Sequence, residues 1–359
     1  MKLLHTSDLH IGKRLHEQSL LSEQRHMLAE LHRIALEQGV HAVLLSGDIY
    51  DRSVPSLDAV NLFDDFISEL ARAELPVFII AGNHDSADRL DFGARIMSRQ
   101  NVHISGKALK TVTLSDAHGE LTLWLLPYLR AQAAEAVLAE AEVDTGIRNV
   151  ILAHQFVTAS ESAPEPGGSE SAMVGGVDAM DAACFDRFDY VALGHIHRPQ
   201  PVGRPAVRYS GSPYRYAFDE CSHGKSVTVV DLGPKGAVTA ALHPLTPERD
   251  LYRIRCTLAE LPDQSVPRDS YVELTLTDDE PVVDAIAKVR LIYPNTLRLL
   301  VDSRYTRQVG TAHRLGREDL RTKTPMELFV GFFEGTYGAP MSGTQRALVA
   351  QALEGGDAL

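Results

Sequence analysis

The chain has one tryptophan and three cysteines in 359 residues, no long apolar run and a shortage of positive charge. Each lack removes a class of protein. Cys184, Cys221 and Cys256 are widely separated, form no CxxC pair and are odd in number, so neither a disulfide framework nor a thiolate zinc site is expected. They read as small buried hydrophobes in a reducing compartment. No stretch reaches the ~18 apolar residues of a membrane span. The start, MKLLHTSDLH, has a single lysine and reads as neither a signal nor a transit peptide. A cytoplasmic protein is expected. With 35 Lys and Arg against 48 Asp and Glu the net charge is −13, which argues against coating DNA or an anionic membrane through a diffuse basic surface. Any contact with nucleic acid has to be local.

What is present is core material, 44% hydrophobic, in a chain long enough for two or more globular units. Apolar runs alternate with helical patterns from the start: KLLHTSD, a helix over about 20–38, HAVLLSGD, a helix over about 56–73, then LPVFIIAGNHD. This βαβαβ order predicts a largely parallel sheet with helices outside. Between about 100 and 130 short strands joined by polar turns replace the helices, and AQAAEAVLAEAE, RNVILAHQ and FDYVALGH follow as helix, strand and strand. The expected result is a sandwich with sheet on both sides of its core. Residues 158–176, rich in Ser, Glu, Pro and Gly, predict a long exposed loop. Strands continue to about 245, where TPERD reads as a junction, and a small unit follows over 250–303 in the order strand, strand, helix, strand.

Between Ala285 and Pro325, nine basic residues (Lys288, Arg290, Arg298, Arg304, Arg307, Arg314, Arg317, Arg321, Lys323) face three acidic ones (Asp302, Glu318, Asp319), a local +6 that leaves −19 for the rest. A solvated linker and a phosphate-contacting patch explain it equally well. The last segment opens with a Thr and Pro helix start and carries Met326, Leu328, Phe329, Phe332 and Phe333 at near-helical spacing. That apolar face suits a docking helix for a partner, or packing on its own domain.

Chemistry gathers at the strand ends. The first strand ends in DLH (Asp8, His10), the second in GD (Asp48), the third in GNHD (Asn83, His84, Asp85), and later ones in AHQ (His154) and GHIH (His195, His197). Each has a bland explanation alone, in a helix cap, a turn or a satisfied histidine. Their concurrence is what matters, because Asp and Asn are disfavoured in strands and the carboxyl ends of an α/β sheet line its ligand crevice. If locally extended, GHIH would send both imidazoles the same way, toward two neighbouring ions. Carboxylate, carboxamide and imidazole without thiolate suit a two-metal site for Mn²⁺, Mg²⁺, Fe²⁺ or Zn²⁺, with Mn²⁺ the first choice. Lys13 and Arg14 in HIGKR, with Arg52 and Arg89 behind the other blocks, are placed to meet phosphate, although surface solubility explains any one of them as well.

The five blocks, in this order and at these intervals, resemble the calcineurin-like metallophosphoesterases. HTSDLHIGKRL, LLSGDIYDRSVPS, VFIIAGNHDS, ALGHIHRPQ and YSGSPYRYAFDE resemble, more narrowly, the nuclease subunits of bacterial SbcCD-type complexes. The resemblance implies a four-layer α/β/β/α sandwich over 1–245, a small α+β capping domain over 250–303 and a basic linker with a C-terminal helical tail over 304–359. It implies one ion on Asp8, His10, Asp48 and His197 and a second on Asp48, Asn83, His154 and His195. His84 would stabilise charge on the phosphate or protonate the leaving oxygen, with Asp85 as its hydrogen-bond partner. Archaeal and eukaryotic relatives have a histidine where this chain has Asp51, so that role is not carried over. The implied activity is a Mn²⁺-dependent DNA nuclease, exonuclease and hairpin or single-strand endonuclease, working in repair, recombination and replication. The implied partners are DNA, an SbcC-like coiled-coil ATPase gripped by the C-terminal segment, and a second copy of the chain in a heterotetramer, near the nucleoid. Two other readings stand beside it: a dimetal enzyme for a small phosphomonoester or cyclic nucleotide, and a scaffold whose metal site has decayed.

Overall fold

The computed structural model describes residues 1–159, 163–168, 179–303, 324–337 and 339–354. Segments of four or five residues, each built on a Leu-Leu or Ile-Ile pair, too short for helices and buried on both faces, become parallel strands: Lys2–Thr6 (β1), Ala42–Ser46 (β2) and Val77–Ile80 (β3). Strand Val102–Ser105 extends the sheet in parallel beyond β3; on the other side Ser226–Leu232 pairs antiparallel with β1, and Val238–Pro244 pairs antiparallel with Ser226–Leu232. A second six-stranded sheet is centred on Arg148–His154 (β4) and Tyr190–Gly194 (β5), again parallel.

Strand parity decides which side chains meet between the sheets. Leu3, Leu44, Phe78 and Ile80 from the first sheet pack with Leu121, Leu123, Leu125, Val150, Leu152 and Ala192 from the second. Burying one such side chain fully is worth about 1.5–3 kcal/mol. The opposite faces carry helices. Leu21–Glu37 (α1) and Leu57–Arg72 (α2) lie beside each other, their buried residues recurring at helical spacing, and Ala131–Glu140 (α3) packs Ala131, Ala134 and Leu138 against Trp124, Leu126, Ile151 and Val191. The layers are therefore α/β/β/α, as the sequence predicts. Both expected N-terminal helices fall within a residue of their predicted bounds.

The chain divides into two compact units, Met1–Leu251 and Tyr252–Leu359. In the second, strands Leu251–Cys256, Tyr271–Leu276 and Thr296–Val301 form one sheet with helix Ala285–Ile292 (α4), around a core that includes Ile254, Leu274, Val289 and Tyr293. Helices Pro325–Tyr337 (α5) and Gly343–Glu354 (α6) follow. Each opens on a reciprocal cap: Thr324 and Glu327 exchange side-chain-to-backbone hydrogen bonds, and Ser342 and Gln345 do the same.

Of the cysteines expected to be buried, Cys256 is, while Cys184 and Cys221 are only partly buried; all three are free thiols. Within the basic stretch, Arg298 pairs with Glu273 at 3.0 Å and Arg290 donates to the Thr296 carbonyl at 3.3 Å. Arg304, Arg307, Arg314, Arg317, Arg321 and Lys323 lie outside the described residues, as do 160–162 and 169–176 of the expected loop. Among the described residues no helix is long and apolar enough to cross a membrane.

Candidate metal centre

The predicted donors lie where β1, β2, β3, β4 and β5 end, on one rim of the sandwich. The backbone there is bent to bring them together. Asp8, His10, Asp48 and His195 all have positive φ, at 54°, 42°, 49° and 104°, a region that costs a non-glycine residue about 1–3 kcal/mol and persists only where surroundings impose it. Close approach is enforced by glycine: a Cβ at Gly82 would lie 2.1 Å from Asp48 Oδ1, and one at Gly194 would lie 2.0 Å from the Ser46 carbonyl.

Two groups of side chains share Asp48. In one, His10 Nε2 is 3.1 Å from His197 Nε2, which is 3.9 Å from Asp8 Oδ1. In the other, Asn83 Oδ1 is 3.0 Å from His154 Nε2 and 3.2 Å from His195 Nδ1. Asp48 Oδ2 stands between them, 3.6 Å from His10 Nε2 and 3.4 Å from His154 Nε2, while its Oδ1 accepts the His84 backbone N–H at 2.8 Å. Asp8, His10 and His197, and likewise Asp8, Asp48 and His154, offer donor atoms within 4.8 Å of one another.

The chemistry of the second group tests whether a cation fits. His154 Nδ1 donates to the Ser46 carbonyl at 2.8 Å, so in the neutral ring Nε2 carries only a lone pair. That lone pair meets the oxygens of Asn83 and Asp48, and three acceptors turned on one point need a proton or a metal ion among them. Burial opposes charge on His154, but Asp48 and Asp8 overcome it and push its pKa up to about 9. Burial alone would raise Asp48; the imidazoles of His154, His10 and His84 outweigh it and hold the carboxyl well below its usual range. Asp8, dominated by burial, is raised, and burial holds His10 well below the usual imidazole range. A divalent ion replaces the proton as the neutralising charge. The oxygen and nitrogen set, without sulfur, fits divalent cations.

His84 lies at the edge of the cluster, its donor atoms grouping with those of His10 and Asp48. Its Nδ1 donates to the Asp51 carbonyl at 2.9 Å, which leaves Nε2 for a substrate. Here the structure corrects the resemblance. Asp85 is not the partner of His84: its carboxylate accepts the backbone N–H groups of Ile49, Tyr50 and Gly82 at 3.1, 2.9 and 2.9 Å, locking the third strand's loop to the second's. Burial and the charge of Asp48 outweigh those bonds and raise the Asp85 pKa to about 6. The extended GHIH is also corrected, because the left-handed turn at His195 sends the two imidazoles to different groups, one to Asn83 and the other to His10.

The four basic candidates separate. Lys13 Nζ is 2.8 Å from Asp51 Oδ1, itself 3.8 Å from His10 Nδ1, and Arg52 Nε is 3.7 Å from the other Asp51 oxygen. Arg14 donates to the Glu17 carbonyl and is turned to its own hairpin, and Arg89 is exposed on the short helix Ala87–Leu90. Lys13 and Arg52 stand at the site; among the described residues no contact ties Arg14 or Arg89 to it.

Several supporting residues escaped the sequence reading. Gln24 on α1 donates to the Leu9 and His10 carbonyls at 3.1 and 2.7 Å and accepts the Gly12 N–H at 3.0 Å, holding the bent DLH loop, and Tyr216 donates to Leu9 as well. Ser7 donates to Asp8 and is 2.8 Å from Ser210. Glu220 and Lys225 sit behind His197. A glutamine at a core-facing helix position, and a Glu two residues after Phe218 in AFDE, were the available signals, and neither marks its target in one dimension.

A family model described as calcineurin-like phosphoesterase matches residues 1–199, and one described as type 5 capsule protein repressor C-terminal domain matches 247–337. The SbcD subunit of the SbcCD nuclease of Staphylococcus epidermidis is 25% identical over 321 residues, 83% of this chain and 85% of that one. Among solved structures, TT1561 of Thermus thermophilus aligns at 13% identity over 67% of this chain and 98% of its own, with a TM-score of 0.43. A dimetal phosphatase from Danio rerio aligns at 11% identity over 68% and 96%, with a TM-score of 0.42.

Proposed function

The chain belongs to the calcineurin-like phosphoesterases, and from that premise we propose that it is the nuclease subunit of an SbcCD-type complex. It cleaves phosphodiester bonds with Mn²⁺, with Mg²⁺ as the second choice, acting on DNA ends and on single-stranded or hairpin DNA. The observation that carries the reading is the meeting of acceptors around Asp48, where His154 Nε2, Asn83 Oδ1 and Asp48 Oδ2 converge. Asp8, His10, Asp48 and His197 would hold one ion and Asp48, Asn83, His154 and His195 the other.

Ions bound there supply Lewis-acid activation of the phosphate and of the attacking water. The chain's own residues do the rest. Asp48 faces both groups through one oxygen and is fixed through the other by the His84 N–H. The Asp51 carbonyl accepts from Nδ1 and orients His84; in the doubly protonated ring the Nε2–H stabilises the phosphate or passes its proton to the leaving oxygen, leaving the neutral imidazole. Lys13 and Arg52, on the Asp51 carboxylate, exchange that contact for phosphate oxygens as substrate enters.

The similarity to the staphylococcal SbcD subunit and the match of 247–337 to a second family model support a chain with more than a phosphatase core. Unit 250–303 would cap the site toward DNA, and 304–359 would grip the SbcC-like ATPase, a role supported by the exposure of Phe329, Phe332, Tyr337 and Leu348. A second copy of the chain fits the exposed Leu57, Phe92 and Ile96. The location would be cytoplasmic, at the nucleoid. The test is an end-labelled DNA hairpin incubated with the pure protein, with and without Mn²⁺ and an ATPase partner. Mn²⁺-dependent opening and trimming is expected; turnover of a small phosphate ester with DNA left intact would overturn the reading.

A further inference from the structure

Behind the metal donors lies a charged pair that the reaction described above does not use. Glu220 closes the short turn Phe218–Glu220 and is 0% exposed, and Lys225 is 6% exposed. Glu220 Oε1 faces His197 Nδ1 at 3.6 Å, and Oε2 is 2.6 Å from Lys225 Nζ. Lys225 Nζ donates in turn to the His197 carbonyl at 2.9 Å and to Ser212 Oγ at 2.8 Å, and the Ser212 N–H donates to the same carbonyl at 3.2 Å.

A buried ion pair is a weak way to stabilise a fold, because desolvating two charges offsets most of their attraction; well-packed apolar residues do as well or better. Stability therefore does not account for this one. Its geometry does: both charges touch the same residue, one at the ring and one at the backbone. We propose that Glu220 and Lys225 form a clamp that positions His197 as a metal ligand. The carboxylate keeps the ring proton on Nδ1, so that Nε2 turns its lone pair toward His10 and Asp8, and the ammonium pins the carbonyl of the same residue. Lys225 also holds the carboxylate in place. Glu220 and Lys225 are positioning residues, acting only through His197, and the inference rests on reading His197 as a ligand.

Calorimetric titration of Mn²⁺ into metal-free full-length protein tests it, beside the absorption bands of bound Co²⁺ and thermal melting. The wild type should bind two ions. Glu220→Gln should weaken one of them about 10- to 100-fold and shift one Co²⁺ band, with the other ion within about twofold of wild type. The double variant Glu220→Gln/Lys225→Met removes the lysine left without its counter-charge, so it should melt near the wild type while the same ion stays weak. This double variant decides the matter if the single one fails to fold. Wild-type affinity at both ions in either variant would show that Glu220 merely balances Lys225, and would overturn the clamp. A wild type that binds no ion would instead remove His197 as a ligand, and the clamp with it.

Discussion

The two halves of the metal centre are built differently. Asp8, His10 and His197 are at most 2% exposed and are braced from several elements, by Gln24 and Tyr216 on the loop backbone, Ser7 on Asp8, and Glu220 and Lys225 on His197. The other half has His154 and His195 buried but depends on Asn83, which is exposed. One half is set before any ion arrives, whereas the other needs an exposed amide to stay in place. Asp48 belongs to both. A preformed half costs stability to build and binds with little reorganisation, and a half that includes a surface residue admits substrate.

Removing the shared residue erases the contrast. Asp48→Asn should abolish cleavage, by about 10³-fold or more, and leave fewer than two ions by calorimetry, since the amide lacks the charge that balances the imidazoles. Two ions still bound tightly would mean that the halves are independent.

His84→Ala sharpens it from outside. Cleavage should drop about 10²- to 10⁴-fold, the scale of a lost proton donor, with both ions retained. His84 groups with His10 and Asp48, so loss of an ion in this variant would make His84 a ligand and change the count of the braced half.

Asn83→Ala and Gln24→Leu set the halves directly against each other. The first should weaken one ion about 10- to 100-fold and move stability by less than about 0.5 kcal/mol, as a surface change does. The second strips the Gly12 N–H of its partner, leaves the Leu9 carbonyl to Tyr216 and the His10 carbonyl to the Lys13 N–H, and should cost about 1–3 kcal/mol in urea unfolding of the metal-free protein. If both variants lost equal stability, the difference in bracing would be wrong.

How much of this a reader of the sequence can see follows from distance along the chain. The donors were visible because each ends a strand, and Asp or Asn at a strand end stands out against β-branched neighbours. The sandwich was visible for a related reason, since period and run length are local. What stayed hidden is what depends on φ and on remote pairing. His195 was read as extended because nothing in GHIH announces a φ of 104°. Asp85 was given to its neighbour His84, although Ile49 and Tyr50, thirty-five and more residues away, compete for it with backbone N–H groups. Gln24, Glu220 and Lys225 look like ordinary surface residues until the fold buries them.

The smallest effect concerns the joint between the sheets. His5 on β1 is fully buried; its Nε2 donates to the Leu193 carbonyl at 3.2 Å, two residues before His195, and its Nδ1 accepts from Tyr190 Oη at 2.9 Å. Burial first, then the charge of Arg208, lower its pKa to about 3. An unfolded histidine titrates near 6.5, so the unfolded chain takes up a proton that the folded one refuses. The stabilisation is present above pH 6.5 and is lost as pH falls toward 3. From pH 6.5 to 5.5 His5 alone should lower unfolding free energy by about 1 kcal/mol. Urea unfolding of metal-free wild type and His5→Phe at the two pH values isolates it, because the other histidines titrate in both proteins and the lost Tyr190 bond weighs equally at either pH. The variant should be less stable overall yet flatter with pH. Equal slopes would mean that His5 takes up its proton in the fold as readily as in the unfolded chain, and its link between β1 and β5 would then have to be drawn with both ring nitrogens able to donate.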